Sequence, residues 1–112
     1  MFPKANRLPA FEIRSVLRSK NRISSKELQL VFLKNSLGIS RFAVIVSKSI
    51  DKRATARNRI KRLIRESIRH LLPQIASGWD CVIAARTNMS EHKQGEVENI
   101  IKDLLMKARL FS

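Results

Sequence analysis

Residues 57 to 69 read Arg57-Asn58-Arg59-Ile60-Lys61-Arg62-Leu63-Ile64-Arg65-Glu66-Ser67-Ile68-Arg69. Ile60, Leu63, Ile64, Ile68 and the following Leu71 fall on one side of a 3.6-residue wheel. Arg57, Lys61 and Arg65 form an i, i+4, i+8 row, and Asn58, Arg62 and Arg69 lie beside it. The spacing predicts a helix over roughly 55–72, ended by Pro73, with one face for a core and one for a polyanion. An ordinary surface helix mixes acids with bases to gain small i, i+4 attractions. Here six cations repel one another with only Glu66 to offset them, so the compensation comes from outside the chain.

Working outward from this helix places the other elements. Leu28 to Leu33 and Phe42 to Val46 read as strands, the second buried on both faces or nearly so, with a turn at Asn35-Ser36-Leu37-Gly38 between them. Trp79 to Ala85 is a third strand, entered through Ser77-Gly78. Pro9 suits a helix start, and Phe11, Ile13, Val16 and Leu17 make a short amphipathic helix up to about Lys20. Val97, Ile100, Ile101, Leu104, Leu105 and Ala108 keep helical period in a final helix, with Asn88 or Ser90 as N-cap. The order predicts an α+β sandwich in one domain, residues 1–112, its sheet covered on one face by helices. The basic helix is the crossover between the second and third of these strands. Were those strands parallel, a right-handed crossover would be the default.

Composition narrows the function. The 112 residues suffice for one core and not for two. Net charge is +14, and residues 1–72 carry all of it: 18 Lys and Arg against Glu12, Glu27, Asp51 and Glu66. Residues 73–112 balance five bases with five acids, so the charge is local and points to a partner rich in phosphates. Cys81 is the only cysteine and lies in an apolar run, where a buried structural thiol is expected and a disulfide-linked partner is not. His70 and His92 have no second ligand at metal spacing, so no protein-bound metal is expected. No apolar run approaches the ~20 residues of a membrane span, and Met1 to Arg7 lacks the apolar core of a secretory signal. The expected setting is reducing, soluble and cytoplasmic.

No catalytic constellation emerges. Three glycines cannot build a Gly-rich phosphate loop, and no His-Cys, Ser-His-Asp or paired-carboxylate arrangement is suggested. A two-metal nuclease needs several carboxylates near the basic face, and only Asp51 and Glu66 lie there. Glu66 is better explained as a partner of Arg62 or Arg69. Phosphate binding is the stronger reading, because Arg offers a planar fork to phosphate oxygens and stacks on bases. Lys48, Lys52 and Arg53 extend the same charge to the helix entrance. A helix packed into a sheet is hard to lay fully in a DNA major groove, which favours RNA.

Three stretches carry a resemblance to a known family: Arg41-Phe42-Ala43-Val44-Ile45-Val46-Ser47-Lys48, Arg57 through Glu66, and Asp80-Cys81-Val82-Ile83-Ala84-Ala85-Arg86. Together with Asn6-Arg7-Leu8 and the closing helix, they resemble the bacterial ribonuclease P protein family. The resemblance spans essentially the whole chain. It implies an accessory protein subunit of an endoribonuclease that removes 5′ leaders from precursor tRNA. The partners implied are ribonuclease P RNA and precursor tRNA, with catalysis by the RNA and magnesium bound mainly by that RNA. It implies a four-stranded sheet in α-β-β-β-α-β-α order, with a short strand near Arg22 to Ser24 and a left-handed crossover in place of the default.

By the same resemblance Arg57, Asn58, Arg59, Lys61, Arg62 and Arg65 contact the catalytic RNA or help organise metal near the cleavage site, and Arg69 on the same helix is expected to bind RNA with them. A cleft between the first helix and the sheet receives the single-stranded leader, and its matching positions are Ile13, Leu17, Val31 or Phe32, Ser47 and Lys48. Family members usually offer aromatic residues on the first helix. This chain has Ile13 and Leu17 there, with Phe11 displaced by two, so charge is expected to carry more of the leader binding than stacking does. Asp51 and Lys52 stand where a small Gly-containing turn is common. The rival readings are a ribosomal or assembly protein that only binds RNA, and an enzyme that cuts RNA by itself.

Overall fold

A computed structural model describes residues 3–111 of the chain. After a short 3-10 turn at Lys4–Asn6 come α1 (Ala10–Leu17), β1 (Arg22–Ser24), β2 (Leu28–Lys34), β3 (Arg41–Ile45), α2 (Ala54–Leu71), β4 (Trp79–Ala85) and α3 (Gln94–Lys107). The sheet order is β1-β2-β4-β3. β2 pairs antiparallel with β1 and β4, and β3 pairs parallel with β4. The expected α+β order and four-stranded sheet are therefore present. β2 and β4 are the inner strands, each with neighbours on both sides. β3, expected to be buried on both faces, lies at an edge: Phe42 and Ala43 are buried, whereas Val44 and Ile45 are half-buried.

Strand alternation sends side chains to two layers. On one face Leu28, Leu30, Phe42, Val46, Cys81 and Ile83 pack with Ile60, Leu63, Ile64, Ile68 and Leu71 of α2 and with Val97, Ile101, Leu104 and Leu105 of α3. This is the helix-on-sheet layer that the apolar stripe of α2 implied. On the other face Val31, Ala43 and Val82 pack with Leu8 and Val16, flanked by Ile13, Leu17 and Ile45. So α1 covers the opposite side of the sheet, and the expectation that one face holds all the helices is corrected. Helical period identifies an apolar stripe but not which side of a sheet receives it.

Two devices fix α2 against α3. Buried Ser67 donates from Oγ to the Leu63 carbonyl at 2.8 Å, and Gln94 Nε2 reaches Ser67 Oγ at 2.7 Å and that same carbonyl at 2.8 Å. Nearer the C-terminal end, His70 Nδ1 lies 2.8 Å from Glu98 Oε1. The start of α3 differs from expectation. Neither Asn88 nor Ser90 caps it; Lys93 precedes its first turn, and Glu96 accepts the Lys93 backbone N–H at 2.8 Å. Asn88 instead stabilises a turn through Ser90 N–H and donates to Asp51 Oδ2 at 2.9 Å. Gly78 enters β4 at φ +89°, a conformation that L side chains rarely adopt. Cys81 is fully buried, and burial pushes its thiol up to about 12, as a structural cysteine requires.

Candidate nucleic-acid interface

α2 has two sides as expected. Ile60, Leu63, Ile64, Ile68 and Leu71 are buried, and Asn58, Arg62, Arg65 and Arg69 are exposed. The seven polar residues assigned to RNA do not form one uniform stripe, however. Arg57 is half-buried, and its Nη1 donates to the carbonyls of Asp51 at 3.0 Å and Lys52 at 2.9 Å. Arg59 turns toward α3 and donates from Nε to Ser90 O at 2.6 Å. Arg69 is paired with Glu66 at 2.5 Å, which identifies the partner of that acid as Arg69 rather than Arg62. The Arg69 guanidinium holds the Glu66 carboxyl below its ordinary range. That leaves Asn58, Arg62 and Arg65, all exposed, with Lys61 half-buried beside them, none of the four ion-paired to a described acid. This is the open part of the face.

The entrance to α2 is built around Asp51. Its carboxylate accepts the Arg53 backbone N–H at 2.8 Å, the Arg53 guanidinium at 2.9 and 3.2 Å, and Asn88 Nδ2. The Arg53 side chain is the main reason its pKa lies well below the usual carboxylate range. The loop that carries Asp51 is thus tied to the loop before α3, and Arg57 reads the position of both of its carbonyls. The Asp51 carboxylate positions Arg53 at the entrance to α2. Among the described residues no three His, Cys, Asp or Glu side chains converge as a metal site would require.

A groove of about 300 Å³ runs between α1 and β3, lined by Arg7, Leu8, Ala10, Ile13, Phe42, Ala43, Val44 and Arg65. Arg65 also borders a second concavity on α2 with Asn58, Arg62 and Glu66. One guanidinium therefore joins the groove to the open cationic face. Of the five residues predicted for a leader cleft, Ile13 lines this groove. Leu17 packs in the same layer. Ser47 and Lys48 are exposed just beyond β3 and outside the lining. Phe32 is on the wrong side: it packs into the α2–α3 layer, with its ring edge-on to Trp79 at 5.7 Å. Val31, the alternative, faces α1. The apolar run from Leu30 to Leu33 concealed that alternation.

Sequence reasoning did not find the wall formed by Leu8, Ala10, Phe42, Ala43 and Val44. Nor did it find the network holding α1 in place. Arg41 donates to both Asp80 oxygens at 2.9 and 2.8 Å and lies 2.8 Å from Glu12 Oε2. Asn35 Nδ2 also donates to Asp80 at 2.8 Å. Partners 39 and 45 residues apart leave no local signal.

Comparison with known proteins agrees with this architecture. The family model described as "Ribonuclease P" matches residues 2–109. A ribonuclease P protein component from Microcystis aeruginosa is 37% identical over 103 residues, covering 88% of this chain and 86% of the relative. One from Clostridium botulinum strain Loch Maree is 37% identical over 102 residues, covering 90% and 91%. The solved RNase P protein from Thermotoga maritima superposes with a TM-score of 0.80 at 25% identity, covering 90% of this chain and 96% of that one. A Staphylococcus aureus RNase P protein structure shares the fold, with a TM-score of 0.84 at 22% identity over 97% of this chain and all of that one. On these matches the chain belongs to the ribonuclease P protein component family.

Proposed function

We propose that this chain works as the protein subunit of a ribonuclease P ribonucleoprotein, binding the catalytic RNA and the 5′ leader of precursor tRNA. The observation that carries the reading is the position of Arg65, shared by the α1–β3 groove and the open cationic face of α2. A single strand lying in the groove would pass directly to the surface suited to folded RNA. Asn58, Lys61, Arg62 and Arg65 would neutralise phosphates where the two RNAs approach each other. Each contact releases counterions, which gives affinity at the expense of salt tolerance. Holding the leader extended fixes the scissile bond relative to the catalytic RNA, so much of the contribution is positional.

Magnesium belongs to the RNA in this reading. A face dominated by guanidinium and ammonium groups repels a divalent cation and attracts the phosphates that bind one. A bacterial tRNA-processing subunit would act in the cytoplasm. No helix among the described residues is long and apolar enough to cross a membrane.

Leader recognition separates this function from that of a general RNA-binding protein. With ribonuclease P RNA present, the affinity for leader-bearing precursor tRNA is expected to exceed that for mature tRNA by at least about tenfold, roughly 1.4 kcal/mol. Equal affinities at near-physiological salt would favour a ribosomal or assembly role and would remove the groove from the account.

A further inference from the structure

The outward face of α1 is unused by the interface described above. Phe11 is 84% exposed, the most exposed large apolar side chain among the described residues. Ile13, Val16 and Leu17 turn the other side of this helix to the sheet. Phe11, Arg14, Ser15 and Arg18 follow i, i+3, i+4, i+7 spacing, and all four are exposed. The only acid of α1, Glu12, is paired with Arg41, so nothing on this helix offsets the two arginines. Arg14 in the last turn of this eight-residue helix and Arg18 at its C-cap repel at i, i+4, and Phe11 contributes little burial. Folding alone does not account for that combination.

We infer that Phe11, Arg14 and Arg18 form a second contact for unpaired RNA, in which the Phe11 ring stacks on a base and the two guanidiniums hold the flanking phosphates. The inference deepens the RNA-binding reading and rests on it. Aromatic–base stacking is tolerant of base identity, because every base has a π-face, and arginine adds charge and a second planar surface. α2 presents cations without an aromatic, so the two faces differ in kind. Ala10 lines the groove and Phe11 follows it directly, so a strand leaving the groove past the first turn of α1 comes onto this face. A protein partner fits less well. One phenyl ring between like charges is far smaller than the apolar centre of a stable protein interface.

The test uses the full chain and a short unstructured oligoribonucleotide. Phe11→Ala is expected to weaken binding about five- to tenfold, while Phe11→Trp keeps it, from the usual strength of base stacking. The indole introduced by Phe11→Trp should be quenched on binding, measured as the difference from wild-type protein, whose own Trp79 packs on Phe32. Arg14→Ala with Arg18→Ala should lower the slope of log affinity against log salt by about 1.4, the single-strand value for two phosphates. Unchanged affinity in Phe11→Ala, or an indole that does not respond to RNA, overturns the inference. Loss of a concentration-dependent dimer in Phe11→Ala, with RNA affinity intact, would also overturn it and assign the face to a second copy of the chain. The reading of α2 is tested separately. If Arg62→Ala with Arg65→Ala loses RNA while Phe11→Ala does not, only the α1 contact falls; if neither variant loses RNA, both readings fall.

Discussion

Replacing Arg62 and Arg65 together by alanine is expected to weaken binding to ribonuclease P RNA by roughly 10- to 100-fold, about 0.7–1.4 kcal/mol for each charged contact. Both side chains are exposed, and neither is paired with a described acid, so their removal leaves no buried group without a partner. The thermal midpoint should therefore stay within about 2 °C of wild type, as for a surface substitution. The salt slope should fall by nearly two, because each lost phosphate contact removes close to one counterion. Arg57 and Arg59 are poorer test sites. Their guanidiniums hold backbone carbonyls at the entrance to α2 and before α3, so truncation there mixes lost RNA contact with local loosening. A titration at several salt concentrations, with melting curves of the same preparations, checks both halves of the expectation.

Arg41→Ala should produce the largest loss of stability, about 3 kcal/mol, because it leaves the Asp80 carboxylate with Asn35 alone. Asp80 is 7% exposed. Burial pushes its pKa up, but the hydrogen bonds from Arg41 and Asn35 outweigh this and leave it lowered overall. Roughly 3 kcal/mol corresponds to a fall in melting temperature of about 10–15 °C for a domain of this size. Glu12→Gln should cost well under 1 kcal/mol, since Glu12 is one-third exposed and its bond to Arg41 is worth little as a surface pair. The pH dependence has a definite sign. A lowered carboxylate pKa contributes stability that is fully present above the unfolded value, near ~3.9, and is lost as pH falls through the folded value. Acid should therefore destabilise the wild type, and Arg41→Ala should flatten that dependence. Chemical denaturation of both proteins between neutral and acid pH measures it.

The elements were legible in proportion to their periodicity. α2 runs for 18 residues with its apolar positions in phase, so its core face could be read from spacing alone. β4 was legible as an apolar run bounded by Gly78 and Arg86. β1 has three residues with only Ile23 apolar, so it came from the family resemblance and not from pattern. The face of the sheet that α1 covers was not legible, because periodicity describes one element and packing needs two. The same limit governed the candidate site. Spacing found the cations of α2 but not their fates. Whether Arg59 meets RNA or the Ser90 carbonyl depends on a loop 31 residues away. Phe32 was misplaced because Leu30, Val31, Phe32 and Leu33 are all apolar, and such a run hides the alternation that would separate the two faces. Phe11 looked like a displaced cleft aromatic, and the structure turns it outward instead.

In the proposed function, the cationic side of α2, joined to the α1–β3 groove through Arg65, presents leader-bearing tRNA to a catalytic RNA. Reconstitution tests it most directly. The chain is added to a bacterial ribonuclease P RNA at a magnesium concentration too low for the RNA alone, and 5′ leader removal from precursor tRNA is timed. The account predicts cleavage restored by wild-type protein and largely lost with Arg62→Ala and Arg65→Ala. Leader removal by the protein without RNA, or equal rescue by wild type and the double variant, would contradict it.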